Sequence, residues 1–576
     1  MSVDDIVLEN VSFTYEGSSE PAIRDINLRI PRGQVALVTG PAGAGKTTLC
    51  YCLNGLIPNF YYGQLTGRVT VRGLDPTRTS IGRLARDVGY LFQDPSMNLF
   101  CPTVEDEMAF GPENFGLPPC EIERRTVESL GITRLEKYRL RNPHYLSGGQ
   151  QQACAVGAIL TMRSNILLLD EPTSNLDPLG SANTFTLIRD LMSREQKTLI
   201  MVEHKIQELA PIVDRMIVMN EGRIILDGEP REVLKNADEM ESLGLKVPHA
   251  SMLATRVIER GVRFDNFPIT ADEIAQDLKR LMKARTAVPR LNTREGSTAE
   301  ENDVAIEAKD LSHTYPPDTA ALRHVSLTIR RGEFIGIIGQ NGSGKTTLVK
   351  HFIGLLKPTK GKVTVFDKDI SQATPDELAT RVGFCFQNPD HQIFSDNVKK
   401  EIEFGLRNIG LPKDEIESRT REALEKVKLL WAIDRDPFSL GLGERRRLGV
   451  ATVLAMKPEI LIVDEPTTGQ DFRGGVEIMN LTKTLNDEGK TVLVITHDME
   501  LASQFVNRVI VLKDGEIMLD GPTREVFSKT DQLSQTSIRP PQITMIAQKL
   551  NDYLPGDVLS VEEMLEVLPN SIFGAN

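Results

Sequence analysis

Short runs of apolar residues, each ended by polar residues or a glycine, recur in both halves of the chain. Apolar runs of this length between turn signals are typical of strands that are buried on both faces of a sheet. They predict buried strands at Val35–Thr39, Ile166–Asp170 and Thr198–Val202 in the first half, and at Phe334–Ile338, Ile460–Asp464 and Thr491–Ile495 in the second. A helix-compatible run follows the first strand of each set, and the combination predicts an α/β fold.

The two halves are copies of one unit. Lys46 and Lys345 end equivalent glycine-rich segments that lie 299 positions apart, and Asp177 and Asp471 end equivalent acidic segments that lie 294 positions apart. The similar segments GRIILDGEPREVL and GEIMLDGPTREVF are 293 positions apart. An offset that drifts by so few residues indicates a tandem duplication with short insertions.

Each copy ends in a small predicted helical appendage. Similar segments begin at Pro248 and Pro541, and a capping-box sequence follows each of them, at Thr270–Glu273 and Ser560–Glu563. The polar segment 284–303 contains Pro, Gly, Ser and Thr without an apolar period, which predicts a flexible linker. The predicted boundaries are residues 1–240 and 304–530 for the two main domains, 241–283 and 531–576 for the appendages, and 284–303 for the linker.

Charge and hydropathy exclude several classes of function. The chain has 67 Lys and Arg against 80 Asp and Glu, a formal net charge of −13. Such an acidic chain is a poor candidate for binding nucleic-acid backbones, so we expect no nucleic-acid partner. No apolar run approaches the roughly 18 residues that a membrane span needs, and no apolar stretch follows the acidic start, which argues against a secretory signal.

Both glycine-rich segments match the pattern GxxxxGKT and follow a predicted strand. Glycines let backbone N–H groups wrap a phosphate chain, the lysine reaches the β- and γ-phosphates, and the threonine after it offers a hydroxyl to Mg²⁺. The predicted nucleotide-binding residues are Gly40, Pro41, Ala42, Gly43, Ala44, Gly45, Lys46, Thr47 and Thr48, and Gly339, Gln340, Asn341, Gly342, Ser343, Gly344, Lys345, Thr346 and Thr347.

Paired carboxylates close one further predicted strand in each half. In the first half the strand ends at Asp170 and Glu171 follows it. In the second half the strand ends at Asp464 and Glu465 follows it. The first carboxylate of each pair suits a hydrated Mg²⁺, and the second can orient or deprotonate an attacking water. With a phosphate-binding loop in the same unit, each pair predicts hydrolysis of a nucleotide.

Between these motifs lies Leu146-Ser-Gly-Gly-Gln150, and with it the chain resembles the ATP-binding cassette family over nearly its whole length. The resemblance implies two P-loop ATPase domains that bind ATP and Mg²⁺, each with a helical signature subdomain and an antiparallel β subdomain. It assigns adenine contact to Tyr15 and Tyr315, metal contact to the Q-loop residues Gln93 and Gln387, signature contact to Ser147, Gly148, Gly149 and Gln150, catalysis to Glu171, Glu465, His204 and His497, and D-loops to Ser174–Asp177 and Thr468–Asp471.

The second signature departs from the family pattern. Gly441, Leu442, Gly443 and Glu444 stand where Ser-Gly-Gly-Gln is expected, so a serine hydroxyl is lost. The resemblance implies that two ATPase domains stack head to tail, with each ATP between one P-loop and the opposite signature. The pairing can be within this chain or between two copies. We expect the P-loop site of the second half, which faces the intact signature, to hydrolyse ATP faster; the alternative is that Gly441 keeps its backbone N–H and both sites work.

The segments Phe92–Phe100 and Phe386–Phe394, named here the Q-loop segments, resemble those of energy-coupling factor and cobalt-type importer ATPases. This implies a peripheral protein on the cytoplasmic side of the cell membrane that reaches the membrane only through a transmembrane coupling subunit and a substrate-binding membrane subunit. Its cargo would be a vitamin, a vitamin precursor or a metal ion. Phe92, Leu99, Phe386 and Phe394 are candidates for apolar contact with the partner, and the alternative is that the aromatic residues among them belong to the core. The alternatives are a soluble twin-cassette ATPase acting on ribosomes or DNA, and a fused sugar-importer ATPase.

Overall fold

The structure, a computed structural model, describes residues 4–173, 181, 184–185, 188, 197–282, 303–316, 318–466, 472–536 and 538–573. It divides into two compact units, Met1–Ile274 and Ala275–Asn576. Apart from Asp303, the predicted linker lies outside the described residues, and the domain boundaries stay predictions.

The first unit is built on two sheets. The three-stranded sheet has the order β2-β1-β4 and is antiparallel, and the six-stranded sheet has the order β5-β6-β7-β3-β8-β9 and is parallel except for its last strand. The strands are β1 (Asp4–Tyr15), β2 (Ile23–Pro31), β3 (Val35–Thr39), β4 (Gly63–Val71), β5 (Val88–Leu91), β6 (Ile166–Asp170), β7 (Thr198–Val202), β8 (Arg215–Asn220) and β9 (Arg223–Gly228).

The second unit repeats this plan. A sheet of the order β11-β10-β13-β14 is antiparallel, and a six-stranded sheet of the order β15-β16-β17-β12-β18-β19 is again parallel except for its last strand. The strands are β10 (Val304–Tyr315), β11 (Thr319–Arg330), β12 (Phe334–Gly339), β13 (Lys360–Val365), β14 (Lys368–Asp369), β15 (Val382–Cys385), β16 (Ile460–Asp464), β17 (Thr491–Ile495), β18 (Arg508–Lys513) and β19 (Glu516–Pro522).

Helices connect and cover these sheets. In the first half they span Lys46–Asn54, Leu56–Asn59, Ile81–Leu84, Val104–Asn114, Pro119–Thr133, Gly148–Met162, Ile206–Leu209, Pro230–Leu234, Ala237–Ser242, His249–Glu259 and Ala271–Leu281. In the second half they span Lys345–Phe352, Pro375–Ala379, Val398–Asn408, Lys413–Lys426, Leu442–Ala455, Phe472–Asp487, Met499–Phe505, Thr523–Ser528, Thr530–Ser534, Gln542–Lys549 and Val561–Val567. Within the described part of the chain, none of the helices combines the length and the apolar character needed to cross a bilayer.

The central strands of each six-stranded sheet are mostly apolar and are buried along nearly their whole length. All residues of β6, β7, β16 and β17 are buried. These strands and β3 confirm the bounds predicted from the sequence, and β12 is one residue longer than predicted because it includes Gly339. The α/β fold with two tandem P-loop domains is therefore confirmed. Parallel strands bring their carboxyl ends to one edge of the sheet, and the candidate chemistry follows there.

Each appendage is fastened to its ATPase domain by an arginine and a glutamate. Arg231 pairs with Glu273 at 2.6 Å, and Arg524 pairs with Glu563 at 2.6 Å. Each glutamate also belongs to its predicted helix cap, because its backbone N–H donates to the side chain of Thr270 (3.2 Å) or Ser560 (3.1 Å). Each carboxylate also accepts from the backbone N–H of the residue before the cap, and the Glu273 carboxylate accepts from the N–H of Thr270 in addition. We name this contact the Arg–Glu latch.

Candidate functional site

The two glycine-rich loops lead from β3 and β12 into helices that begin at Lys46 and Lys345. The Lys46 ammonium donates hydrogen bonds to the carbonyl oxygens of Gly40 and Pro41, both at 2.8 Å. Lys345 makes the equivalent two bonds at the same distance. Each loop therefore carries a buried positive charge beside a helix N-terminus, and both features attract phosphate.

Two glycines of these loops are required by the backbone. Gly45 has φ +95° and Gly344 has φ +100°, which is the left-handed region. A Cβ atom would lie 2.5 Å from the carbonyl oxygen of Ala22 at the first position and 2.6 Å from that of Ala321 at the second. Any larger residue would have to push the loop away from the neighbouring backbone, which explains why a glycine precedes each lysine.

In the first half, Asp170 lies at the buried end of β6 and is 1% exposed. Burial and the charge of Glu171 raise its pKa to about 6, although hydrogen bonding to Thr47 and Tyr90 favours the charged form. The Tyr90 hydroxyl donates to its Oδ2 at 3.0 Å, while Oδ1 is buried without a hydrogen-bond partner among the described residues. This carboxylate and the nearby Thr47 hydroxyl fit a hydrated Mg²⁺, which prefers oxygen and takes few protein ligands.

The second half has the same pair of oxygen donors. Thr346 donates to Oδ2 of Asp464 at 3.3 Å. Burial, followed by the charge of Glu465, raises the pKa of Asp464 to about 6. The threonine and the first carboxylate that the sequence predicts to hold Mg²⁺ thus lie together in both halves.

The second carboxylate of each pair contacts the predicted switch histidine. Oε1 of Glu171 lies 3.2 Å from Nε2 of His204, and Oε2 of Glu465 lies 2.7 Å from Nδ1 of His497. Burial opposes ionisation of Glu171, but contacts with His204, Lys46 and other groups outweigh it and keep its pKa below the usual value. Glu171 and Glu465 also have φ of 47° and 51°, a strained conformation for non-glycine residues that is typical of functional sites.

The Q-loop glutamines make different hydrogen bonds in the two halves. The Gln93 side chain donates to Oε2 of Glu171 at 2.8 Å. In the second half, the backbone carbonyl of Gln387 accepts a 2.5 Å bond from the buried guanidinium of Arg446. The counterpart of Arg446 is Gln152, whose Nε2 is buried and unpaired among the described residues. No role of Arg446 was predicted, although the basic run Arg445-Arg-Arg447 after the second signature was a signal.

The predicted adenine-contact tyrosines lie beside the P-loop helices. The hydroxyl of Tyr15 is 3.0 Å from that of Thr48, and the hydroxyl of Tyr315 is 3.4 Å from that of Thr347. In the first half, the Tyr15 ring also contacts the Tyr61 ring, with the centroids 6.4 Å apart. This larger cluster of tyrosines around Tyr15 was not predicted from the sequence.

Both signature segments begin a helix at the same aligned position. Ser147 caps the helix Gly148–Met162, and its N–H bonds the side chain of Gln150 at 3.1 Å. Gly441 stands before the helix Leu442–Ala455, and its N–H bonds Glu444 at 2.8 Å. Ser439 belongs to the preceding 3-10 turn and does not substitute for the missing serine. The ungapped alignment is therefore the structural one, and the second signature lacks the hydroxyl.

Both predicted D-loops, Ser174–Asp177 and Thr468–Asp471, lie outside the described residues. Among the candidates for partner contact, Leu99 is only 2% exposed and belongs to the core. The expectation that Leu99 meets a partner was therefore wrong. The roles assigned to the other site residues stay predictions, although the structure brings each half's P-loop, carboxylates, tyrosine and histidine together.

Comparison with known proteins agrees with this geometry. The sequence profile described as ABC transporter matches residues 23–174 and 322–468. A protein named as an ABC transporter ATP-binding protein in Caldanaerobacter subterraneus is 42% identical over 572 residues, which cover 98% of this chain and 99% of that protein. A similarly named protein of Methanosarcina acetivorans is 40% identical and covers 94% of this chain and 90% of its own length. A solved structure of cbiO1 from Clostridium perfringens, part of the ABC transporter complex cbiONQ, is 36% identical, with a TM-score of 0.38, over 42% of this chain and 97% of that one.

The fold and the site define a protein with two P-loop ATPase domains. The chain belongs to the ABC transporter family, since the family profile matches both halves and the relatives align over nearly the full length. It is the ATPase subunit of a transporter, it binds ATP with Mg²⁺, and ATPases of this family work with transmembrane subunits.

Proposed function

We propose that this chain hydrolyses ATP to energise an importer of the energy-coupling factor type. The importer would pair it with a transmembrane coupling subunit and a substrate-binding membrane subunit, and would carry a vitamin, a vitamin precursor or a metal ion. The observation that carries this proposal is a pair of exposed aromatic side chains in each half, one at the end of the Q-loop segment and one on the helix that follows it. The chain would then be peripheral, on the cytoplasmic face of the membrane.

The aromatic pairs have the same geometry in both halves. The rings of Phe100 and Phe110 meet edge to face with centroids 4.7 Å apart, and those of Phe394 and Phe404 meet in the same way at 4.8 Å. Phe100 and Phe394 are each 61% exposed. Exposing aromatic pairs of this kind to water costs free energy, so they mark a surface that another protein covers.

A buried glutamate holds each pair in place. The Glu107 carboxylate accepts from the backbone N–H groups of Phe100 (2.9 Å) and the next residue, and Glu401 accepts from Phe394 (3.1 Å) and the next residue. Both glutamates are at most 4% exposed. The aromatic surface is therefore fixed before any partner arrives, which lowers the entropic cost of binding.

The proposed chemistry follows from the contacts of each site. The P-loop lysines and helix N-termini would hold the triphosphate, and bound Mg²⁺ would neutralise its developing charge. Glu171 and Glu465 would orient the attacking water, with His204 and His497 holding the carboxylates in position. By family resemblance the two halves would pair head to tail, so that each ATP also meets a signature helix.

Co-purification from gently solubilised membranes tests this proposal. We expect the natural chain to retain two kinds of integral membrane protein, and the double variant Phe100→Ser/Phe394→Ser to lose them while its Mg-ATPase activity persists. Leu140→Ser is the matched control, because Leu140 is 77% exposed but belongs to no aromatic pair. Retention of the membrane proteins by the double variant would contradict the docking surface, and sedimentation of the chain with ribosomes instead would contradict the importer.

A further inference from the structure

The hydroxyl of Tyr90 touches the predicted metal ligand of the first half only. Tyr90 lies on β5 and pairs with Leu168 on β6, two residues before Asp170. Its hydroxyl donates to Oδ2 of Asp170 at 3.0 Å. In the second half, Phe384 pairs with Ile462 in the same register, and it has no hydroxyl. At this position the first site therefore has a hydrogen-bond donor to its carboxylate that the second site lacks.

Aromatic neighbours hold the Tyr90 ring in place. It meets the ring of Phe92 at 4.7 Å and that of Tyr51 at 5.8 Å, both edge to face, and Tyr51 stacks on Tyr61 at 4.7 Å. Two of these residues have no aromatic counterpart in the second half. Lys350 stands in the position of Tyr51, and Tyr61 lies in the segment Leu56–Thr66, which is five residues longer than its counterpart.

The bond from Tyr90 leaves Asp170 with one free oxygen. Oδ2 is engaged by the hydroxyl, whereas Oδ1 is buried without a partner among the described residues. A carboxylate held through one oxygen has a fixed orientation, and groups that orient metal ligands in this way strengthen metal binding.

We propose that Tyr90 is a positioning residue that fixes Asp170 for the Mg²⁺ of bound ATP. The first site then holds MgATP at a lower Mg²⁺ concentration than the second site does. This assignment rests on the nucleotide-binding activity of the chain and is independent of which cargo or membrane partner the transporter has. The first half would then mainly hold MgATP, which agrees with the degenerate signature that faces it in the proposed pairing.

Equilibrium binding of a fluorescent ATP analogue at varied Mg²⁺ concentration tests the proposal. The first site is measured in a Lys345→Ala background, and the second site in a Lys46→Ala background. In the first, Tyr90→Phe should raise the Mg²⁺ concentration at half-maximal binding about 10-fold, as expected for loss of a group that orients a metal ligand. Binding of the analogue without Mg²⁺ should not change, because the phosphate contacts stay intact.

Two matched variants separate the effect of the Tyr90 hydroxyl on Mg²⁺ binding from the effect of the surrounding rings. Tyr61→Phe removes a hydroxyl from the same cluster at a ring that does not contact Tyr90 among the described contacts, and it should leave the Mg²⁺ midpoint within about twofold of the parent. Phe384→Tyr adds the hydroxyl in the second half, and it should lower the midpoint of the second site.

The following results would overturn the assignment: an unchanged midpoint for Tyr90→Phe, an equal shift for Tyr61→Phe, or an equal loss of Mg-free binding. An unchanged midpoint for Phe384→Tyr would overturn the attribution of the difference between the halves to this hydroxyl. If the analogue bound equally well after Lys46→Ala and Lys345→Ala together, the nucleotide sites themselves would be misassigned, which is a separate failure.

Discussion

At the scale of single residues, the charges of the buried carboxylates Asp170 and Asp464 destabilise the folded chain, although the proposed function needs them. Each ionises near pH 3.8 when exposed, and burial raises its pKa to about 6 in the folded chain. Between these values the folded protein binds more protons than the unfolded chain, so this contribution to stability falls as the pH rises. At pH 7 each charged side chain costs the folded state up to about 3 kcal/mol. Bound Mg²⁺ would offset that cost.

Asp170→Asn should therefore stabilise the nucleotide-free protein. The change keeps the shape and removes the charge, so we expect the free energy of unfolding at pH 7 to rise by about 2–3 kcal/mol. The gain should shrink to about half at pH 5, because the folded carboxyl is then mostly protonated. Calorimetry at the two pH values measures both effects.

Asp75→Asn is the control for this prediction. The hydrogen bond from Thr77 keeps the pKa of Asp75 below its usual value, so removal of its charge should give no stabilisation. Equal stabilisation by the two variants, or a gain for Asp170→Asn that grows toward pH 5, would contradict the explanation by burial.

The sequence predicts a functional residue well when local chemistry requires it. Lys46 and Asp170 follow from a glycine pattern and from the end of an apolar strand, and both lie where they were expected. Tyr90 and Arg446 were not predicted, because their contacts depend on strand register and on the packing of a helix against a distant loop. Leu99 was placed at the surface although it is buried, since apolar residues in a loop carry no sign of the direction they face.

At the scale of elements, the signature helix of the second half is tied to its Q-loop segment. Arg446 reaches from the helix Leu442–Ala455 to the carbonyl of Gln387, and lies 3.4 Å from that of Asp464. Burial lowers its pKa to about 10, opposed by the charges of Glu465 and other neighbours. The first half has only Gln152 at this position. The second helix and its Q-loop segment should therefore move together.

Arg446→Gln, which copies the first half, should loosen the second Q-loop segment. A hydrogen bond from a charged donor contributes about 1.5–3 kcal/mol, so amide exchange in residues 386–392 should accelerate roughly tenfold or more. Exchange in the strands of the sheet should not change. Hydrogen-exchange mass spectrometry measures both regions.

Arg447→Gln is the matched control for this variant. The Arg447 side chain lies 3.7 Å from Glu477, on a different helix, so its loss should leave the Q-loop segment unaffected. If both variants accelerated exchange to the same extent, a general weakening of the helix would explain the result better than the bond to Gln387.

At the scale of the whole molecule, the two halves differ in their signature segments. In the proposed head-to-tail pairing, the first P-loop faces the signature that begins at Gly441, and the second faces the intact one that begins at Ser147. Loss of one donor that stabilises transition-state charge can cost about 10²–10³ in rate. The second-half site should then carry most of the turnover.

Glu465→Gln should abolish ATP turnover in the assembled transporter, and Glu171→Gln should leave a substantial part of it. Each change removes the proposed water-orienting carboxylate from one site and preserves its shape. Steady-state phosphate release measures both variants, which serve as controls for each other. Equal losses, or a larger loss for Glu171→Gln, would exclude the asymmetric scheme.

The Arg–Glu latch also bears on how this chain arose. The pairs Arg231–Glu273 and Arg524–Glu563 join the same elements with the same chemistry. We infer that an ancestral gene for a single half already encoded the appendage, and that duplication and fusion came later. In the proposed head-to-tail pairing within one chain, fused halves would be made in equal number and would meet at a local concentration on the order of millimolar. Neither half must then work opposite a copy of itself, so fusion permits a division of labour that identical separate subunits cannot sustain.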